Sequence, residues 1–337
     1  MSKIVKITSY PFTGNQPYLP PSAHTTVPSR EAIIDFYRTH ERMSWSLTEL
    51  LDLHWRDISI DALTPTDVWV VESAMLVESN NPDYVANLLE YFQADQDVCD
   101  FIVMWGMEEW KHYYALRDYL TKVQTALEAR KSCHDGDDLE DQRFAEMEAS
   151  AHRALGEKVA AVREASPQHW GIPQHYVPVQ VMANTTLQEF VTAEFYRHHA
   201  RYTKEPTLAK IESLLAKDET RHELFYEQKM KDCLAADPDV MPMAINALKE
   251  FGMPGAYLLE GYDERRAAME AAAFPTLAEK KGAFVRLFSK VARIVGRDEA
   301  MRVFTEGNYF SDGMDDPSRK RLRPELITRL LTRKFGA

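Results

Sequence analysis

Two short segments of the sequence place a glutamate three residues before a histidine. They are "GMEEWKHYYA" (106–115) and "KDETRHELFY" (217–226), and both contain an acid, Glu, any residue, Lys or Arg, and His in that order. Residues three apart lie on one face of a helix, so Glu109 would face the same way as His112, and Glu219 the same way as His222. One such pair arises easily by chance, but two matched copies are much harder to attribute to chance.

Both segments lie on apolar helical stripes, which predicts that their acids are buried. Phe101 and Trp105 precede the first pair, and Leu214 and Leu215 precede the second. A buried carboxylate without a partner is costly, and several of them in one core would repel one another. Bound metal ions would remove both costs.

A dinuclear carboxylate site in a four-helix bundle takes one Glu from each of two helices and a Glu-x-x-His pair from each of the other two. Glu78 and Glu189 supply the two single positions, because each lies on its own apolar stripe. The predicted metal ligands are therefore Glu78, Glu109, His112, Glu189, Glu219 and His222. Oxygen and nitrogen ligands without sulfur suit iron or manganese, and the two imidazoles favour iron.

Four further residues compete for these positions. Glu72 and Glu194 are alternatives to Glu78 and Glu189, but the sequence favours exposed acids there. His198 and His199 are adjacent, so they diverge on a helix, and neither has an acid three residues before it. We expect both histidines at the surface or behind the ligands.

Long helices must carry these residues. The chain is poor in Gly and rich in helix formers, and periodicity predicts an all-α protein with a four-helix bundle core at about 66–235. Residues 1–29 contain five prolines and are predicted to be an extended arm, and residues 30–337 to be a single domain, with extra helices in 236–337. Helices are predicted near 30–54, 66–93 with a kink or break at Pro82, 95–127, 139–165, 178–202, 206–235, 240–252, 256–272, 275–295 and 323–335.

Composition excludes some classes of function. The formal net charge of −12 argues against a general nucleic-acid binder. Apolar runs are too short for a membrane span, and the first residues lack the features of a secretory signal or a transit peptide. Three scattered cysteines read as reduced thiols. We expect a cytoplasmic protein.

Four segments resemble the soluble acyl-carrier-protein desaturases, a ferritin-like diiron family. They are "WGMEEWKH" (105–112), "AKDETRHE" (216–223), "ESNNPDY" (78–84) and "LQEFVT" (187–192). The resemblance implies that Glu109 and Glu219 bridge two irons, that Glu78 and Glu189 are terminal ligands, and that His112 and His222 complete the two ends. It also implies that Thr192 lies beside the oxygen-binding face, and that Asp218 and Trp55 belong to an electron-entry path.

The same resemblance implies the reaction and its partners. The two irons would use O2 to place a double bond in an acyl chain carried on acyl carrier protein, with electrons from a ferredoxin-type donor, and the enzyme would be a homodimer. Carrier proteins are acidic, so the basic tail at 319–334 is a candidate docking surface. A solvated helix end explains that tail equally well.

One departure leaves the substrate open. The chain carries an insertion near 133–165, which is either harmless at the bundle edge or remodels the substrate channel or the carrier-protein surface. The alternatives are therefore a diiron hydroxylase or N-oxygenase acting on another carrier-bound or small-molecule substrate, a ferritin-like iron-binding or iron-oxidising protein, and a scaffold that has lost its metals. The helices predicted after residue 235 argue against the ferritin-like protein, and the six intact ligand positions argue against the scaffold.

Overall fold

A computed structural model describes residues 58–131, 138–155 and 178–307, together with 38, 41, 42, 44–46, 48 and 49. Several predictions lie outside these residues: the arm at 1–29, Trp55, the basic tail at 319–334, the helix at 323–335 and much of the insertion at 133–165.

The described residues form α-helices and two 3-10 turns (Ile60–Ala62 and Pro238–Val240), and they contain no strand. The all-α, ferritin-like prediction is confirmed. The helices are α1 (Pro65–Glu78), α2 (Asn81–Phe92), α3 (Gln96–Lys131), α4 (Asp138–Leu155), α5 (Pro178–Tyr202), α6 (Pro206–Ala236), α7 (Met241–Lys249), α8 (Gly255–Leu258), α9 (Tyr262–Ala273), α10 (Leu277–Val295) and α11 (Arg297–Glu306).

Local signals in the sequence set the ends of the helices that carry the site. Thr64 and Asp67 form a reciprocal capping box at the start of α1, which satisfies otherwise unpaired backbone N–H groups. The predicted break near Pro82 is confirmed, because α1 ends at Glu78 and α2 begins at Asn81. This break leaves Glu78 at the end of its helix.

The bundle consists of α1 with α2, α3, α5 and α6, and it contains two apolar clusters with a polar layer between them. Both clusters draw residues from α3, α5 and α6. On α3, Phe101 and Trp105 belong to one cluster and Leu116 and Tyr119 to the other, with the acidic segment between them. The polar layer is therefore enclosed by apolar packing along the bundle axis.

The additional helices pack on the outside of the bundle. Helices α7, α9 and α10 contact α5, and α9 also contacts α1. The predicted helix at 256–272 is divided instead into α8 and α9, because Gly261 adopts a left-handed conformation (φ 66°). Helix α11 was missed by the sequence interpretation, since its ten residues are largely polar and bury only Ala300, Val303 and Phe304.

Helix α4 covers the opposite part of the bundle. It contacts α1 and α3, and its Met147 and Ala151 are fully buried there. Ser150 donates a hydrogen bond to Glu72 of α1 (2.5 Å). The described part of the insertion is thus an integral layer of the fold.

None of the helices in the described ranges combines the length and apolarity needed to cross a bilayer.

Candidate metal centre

The structure brings all six predicted ligands into the polar layer between the two apolar clusters. They form two groups whose ligand atoms lie within 4.8 Å of one another: Glu78, Glu109, His112 and Glu219 in one, and Glu109, Glu189, Glu219 and His222 in the other. Each group could therefore hold one cation, and two of the carboxylates, Glu109 and Glu219, belong to both groups.

The donor atoms of the histidines face this shared centre. His112 Nδ1 lies 3.4 Å from an oxygen of Glu109 and 3.4 Å from one of Glu219. His222 Nδ1 lies 3.0 Å from Glu109 and 3.4 Å from Glu189. Among the described residues, neither Nδ1 atom has a hydrogen-bond partner, and neither has Glu109 Oε1. Buried polar atoms left in this state fit a site built for metal ions.

The electrostatics of the cluster lead to the same conclusion. Burial, together with the neighbouring Glu109, raises the pKa of Glu78 well above its usual range, and burial together with Glu219 raises that of Glu189. Burial alone would lower the pKa of His112, but the surrounding carboxylates, Glu109 foremost, raise it well above its ordinary value. Without cations the carboxylates compete for a few protons, whereas two divalent ions would let all four ionise.

Each histidine is held from behind by the acid of the other motif. His112 Nε2 lies 3.2 Å from Asp218, and His222 Nε2 lies 2.7 Å from Glu108. Arg221 donates hydrogen bonds to both of these acids. A carboxylate behind a ligating imidazole fixes its tautomer and orientation, so the two motifs brace each other crosswise. The acid that precedes Glu in both motifs was the sequence signal for this arrangement.

Aromatic donors hold the two single glutamates. Tyr196 donates a hydrogen bond to Glu78 Oε1 (3.0 Å), and the Trp105 indole donates one to Glu189 Oε1 (3.1 Å). All four side chains are buried. The sequence interpretation placed Trp105 on an apolar stripe and missed the polar roles of both Trp105 and Tyr196.

Trp45 was also missed. Its indole donates a hydrogen bond to Asp218 Oδ2 (2.6 Å), and its side chain is 4% exposed. Lys111 lies over its ring, 4.8 Å from the centroid, and binds its backbone oxygen. Trp45, Asp218 and His112 therefore form a hydrogen-bonded chain that ends at a predicted ligand. Nothing in the sequence spacing linked Trp45 to α6, which lies far along the chain.

A cavity of about 770 Å³ reaches this centre. Its walls include Glu78, Glu109, Glu189 and Glu219, and Thr192 lies on the same wall, half-buried. Most of its other lining residues are apolar, and they come mainly from α1, α5, α9, α10 and the segment 251–259. No residue of the described part of the insertion lines it, so α4 does not remodel this cavity.

The rival residues have other partners. Glu72 and Glu194 are buried, which contradicts the prediction of exposed acids. Glu72 pairs with Arg265 (3.1 Å) and Arg153 (3.3 Å), and Glu194 pairs with Arg197 and Arg286. The pair of Glu194 with Arg197 lies within α5, the other three join separate helices, and all four offset the cost of burial.

The adjacent histidines are also buried rather than at the surface. His199 Nδ1 lies 2.6 Å from Glu212, and its Nε2 lies 3.3 Å from Asp67. His198 lies beside Arg286 and the Phe274 ring. Neither belongs to the two ligand groups.

Comparison with known proteins confirms the resemblance seen in the motifs. The fatty acid desaturase family model matches residues 165–290. Two curated relatives, each named acyl-[acyl-carrier-protein] desaturase 7, chloroplastic, come from Oryza sativa subsp. indica and subsp. japonica. Each is 29% identical over 209 residues, a match that covers 59% of this chain and 46% of the relative. The matched part thus spans about half the length of these relatives.

Proposed function

We propose that this protein is an O2-dependent diiron oxidase that introduces a double bond into an acyl chain carried on acyl carrier protein. The observation that carries the proposal is the cavity, because it reaches carboxylates of both ligand groups and is otherwise mainly apolar. The desaturase relatives support the same reaction.

The ligand set fits two irons. Glu78, Glu109, His112, Glu189, Glu219 and His222 would hold them, with Glu109 and Glu219 shared. Irons bound there would draw from dioxygen the oxidising power needed to break unactivated C–H bonds, which no side chain supplies. The protein contributes position: apolar walls orient the chain and exclude water, and Thr192, one turn after Glu189, offers a hydroxyl on the cavity wall.

Electrons would enter from a ferredoxin-type donor along Trp45, Asp218 and His112. These three side chains are joined by contacts of 2.6 and 3.2 Å. We include Asp218 for this reason, and we add Trp45 to the path; Trp55, which the sequence interpretation placed there, lies outside the described residues. The proposal has three further parts: acyl carrier protein presents the substrate, the enzyme is a homodimer, and it is located in the cytoplasm.

One observation favours the alternative of a hydroxylase or N-oxygenase. Gln188 lines the cavity next to Glu189, and its Nε2 is buried without a hydrogen-bond partner among the described residues. Arg266 and Lys280 also lie on the cavity wall. A substrate with a polar group near the metals would satisfy the Gln188 donor, whereas a hydrocarbon chain would not.

The first experiment tests the metal centre. We expect about two irons per chain after anaerobic ferrous loading, and an oxo-bridged ferric absorption band after exposure to O2. Glu109→Ala/Glu219→Ala removes both shared carboxylates and should lose the band and most of the iron. Glu90→Ala, an exposed acid on α2, is the matched control and should keep both. A folded wild type that binds no iron above background would refute the oxidase.

The second experiment tests the reaction. The iron-loaded enzyme, a ferredoxin, its reductase and NADPH are incubated with acyl carrier proteins bearing saturated chains of different length. Mass spectrometry of the released acids distinguishes a loss of two hydrogens from a gain of one oxygen. Loss of two hydrogens supports the desaturase, and a gain of oxygen supports the hydroxylase.

A further inference from the structure

Three buried ionisable side chains meet between α1, α5 and α6, away from the candidate metal ligands. His199 of α5 lies between two carboxylates: its Nδ1 is 2.6 Å from Glu212 Oε1 of α6, and its Nε2 is 3.3 Å from Asp67 Oδ1 of α1. The exposed fractions of His199, Glu212 and Asp67 are 1%, 1% and 6%. Replacing a buried ion pair with apolar residues of similar size often leaves stability unchanged or higher, so stability alone does not explain these side chains.

One end of this polar chain reaches a surface pocket. Asp67 and His199 line a pocket of about 320 Å³ at the start of α1 and the end of α5. Tyr202 and Lys204, which also line it, are exposed. Solvent in this pocket can therefore exchange protons with Asp67 and His199.

The other end reaches the candidate metal centre through Tyr196. Tyr196 lies three residues before His199 on α5, so the two share a face of the helix. The Tyr196 hydroxyl donates a hydrogen bond to Glu78 Oε1 (3.0 Å). Burial raises the pKa of this hydroxyl well above its usual range, and the charge of Glu78 and the more weakly acting charge of Glu212 add to the shift. Glu212 Oε2 is buried without a hydrogen-bond partner among the described residues, so it can accept the hydroxyl when that group turns from Glu78.

The proposed oxidation consumes protons from solvent. One O2, two electrons, two protons and two hydrogens of the substrate give an alkene and two waters, and hydroxylation takes up the same two protons. When a substrate chain fills the large cavity, its apolar walls exclude water from the centre. The protons then need another route, and Asp67, His199 and Glu212 do not line that cavity.

We propose that Asp67, His199 and Glu212 form a proton relay from the surface pocket to the Tyr196 hydroxyl, at the edge of the polar layer. His199 passes a proton from Nδ1 to Glu212 Oε1 and regains one at Nε2 from the side of Asp67. Burial raises the pKa of the Glu212 carboxyl, which helps it to accept that proton. Tyr196 stays neutral, because it accepts one proton as it gives another. The relay rests on the proposed function, which supplies the demand for protons.

NMR of the metal-free protein tests whether His199 holds the proton. With ¹⁵N-labelled histidine near neutral pH, both ring nitrogens of His199 should be protonated, because a carboxylate faces each of them. The spectrum of His199→Gln identifies the signals. A wild-type ring whose Nδ1 carries no proton would overturn the relay, since Glu212 would then have nothing to accept.

Chemical rescue tests the transfer itself. Iron-loaded, chemically reduced enzyme is mixed with O2 and with acyl carrier protein bearing the chain that the wild type converts fastest. His199→Ala should slow product formation in this single turnover at least about tenfold. Added imidazole can enter the pocket beside residue 199 and should restore the rate. With a series of substituted imidazoles, the restored rate should follow the concentration of the protonated form, which a purely structural defect would not do.

Two variants serve as controls for the rescue. His198→Ala removes the adjacent buried histidine, which lies outside the relay, and should keep the wild-type rate. Glu212→Gln keeps the shape of the side chain but interrupts the relay beyond His199, so it should be slow with or without imidazole. Circular dichroism verifies that all variants remain helical.

The outcomes separate the relay from the proposed function. A wild type that forms no product refutes the proposed function, and the relay with it. If the wild type forms product and His199→Ala keeps its rate, the relay alone is refuted. Rescue of Glu212→Gln by imidazole, or rescue of His199→Ala that ignores the protonation of the added base, would also refute the relay alone.

Discussion

Replacing Asp218 with Asn isolates the crosswise bracing of the metal centre. Asp218 Oδ2 accepts a hydrogen bond from Trp45 (2.6 Å) and lies 3.2 Å from His112 Nε2, while Oδ1 accepts one from Arg221. An asparagine replaces one of the two acceptor oxygens with an NH2 donor. In either orientation its NH2 group faces another donor, so one side of the network is broken.

The expected magnitude follows from the bond that is lost. Hydrogen bonds to charged groups contribute about 1.5–3 kcal/mol, and partners behind a metal ligand are worth about 10–100-fold in metal affinity. Asp218→Asn should therefore weaken the cation site that contains His112 by about 10–100-fold. The site that contains His222 keeps Glu108 behind it and should change little. Glu108→Gln should produce the reciprocal result.

Anaerobic Co²⁺ titration of the metal-free protein, followed by absorbance, measures both affinities. We expect two binding phases in the wild type and one weakened phase in each variant. A double-mutant cycle assigns the phase: in a His112→Ala background, Asp218→Asn should have little further effect on that site.

Two results would refute this reasoning. Equal weakening of both phases by Asp218→Asn would show that the acid acts on the whole cluster rather than through His112. If Asp218→Asn weakened Co²⁺ binding just as much in the His112→Ala background, the acid would likewise not act through His112.

Three further predictions follow from other contacts. Burial alone would lower the pKa of His199, but Glu212 and Asp67 raise it to about 9. Protonated His199 therefore stabilises the folded protein: its contribution is complete below pH 6.5 and is lost as the pH rises through 9. The free energy of unfolding, measured with urea, should fall by about 3 kcal/mol between pH 6.5 and pH 9 in the wild type. If it depended on pH in the same way in His199→Gln, this explanation would be contradicted. Trp45→Phe removes the hydrogen bond to Asp218 and should slow reduction of the irons by ferredoxin about tenfold or more while leaving reduction by dithionite unchanged; equal slowing of both would exclude a role in electron entry. Gln188→Leu removes a buried donor that has no partner among the described residues, so it should raise the free energy of unfolding by about 1 kcal/mol. A lower free energy of unfolding in urea would show instead that the Gln188 amide has a hydrogen-bond partner.

The sequence alone predicted most of the helices and the six candidate ligands that the structure brings together. Helical periodicity depends on local spacing, so α3, α5 and α6 were predicted within a few residues of their observed ends. The matched Glu-x-x-His pairs were recognisable because burial of several acids on apolar stripes has few physical solutions. The resemblance of the segments at 78–84 and 187–192 to the desaturase motifs then favoured Glu78 and Glu189 over Glu72 and Glu194.

Only the tertiary structure decided what surrounds those ligands. The crosswise contacts of Glu108 and Asp218, the indole of Trp45 and the buried ion pairs of Glu72 join residues far apart in the chain. Spacing cannot reveal such pairs, because they depend on how the helices are packed. The cavity has the same origin: its walls come mainly from α1, α5, α9, α10 and the segment 251–259, and its shape exists only once these are assembled around the polar layer.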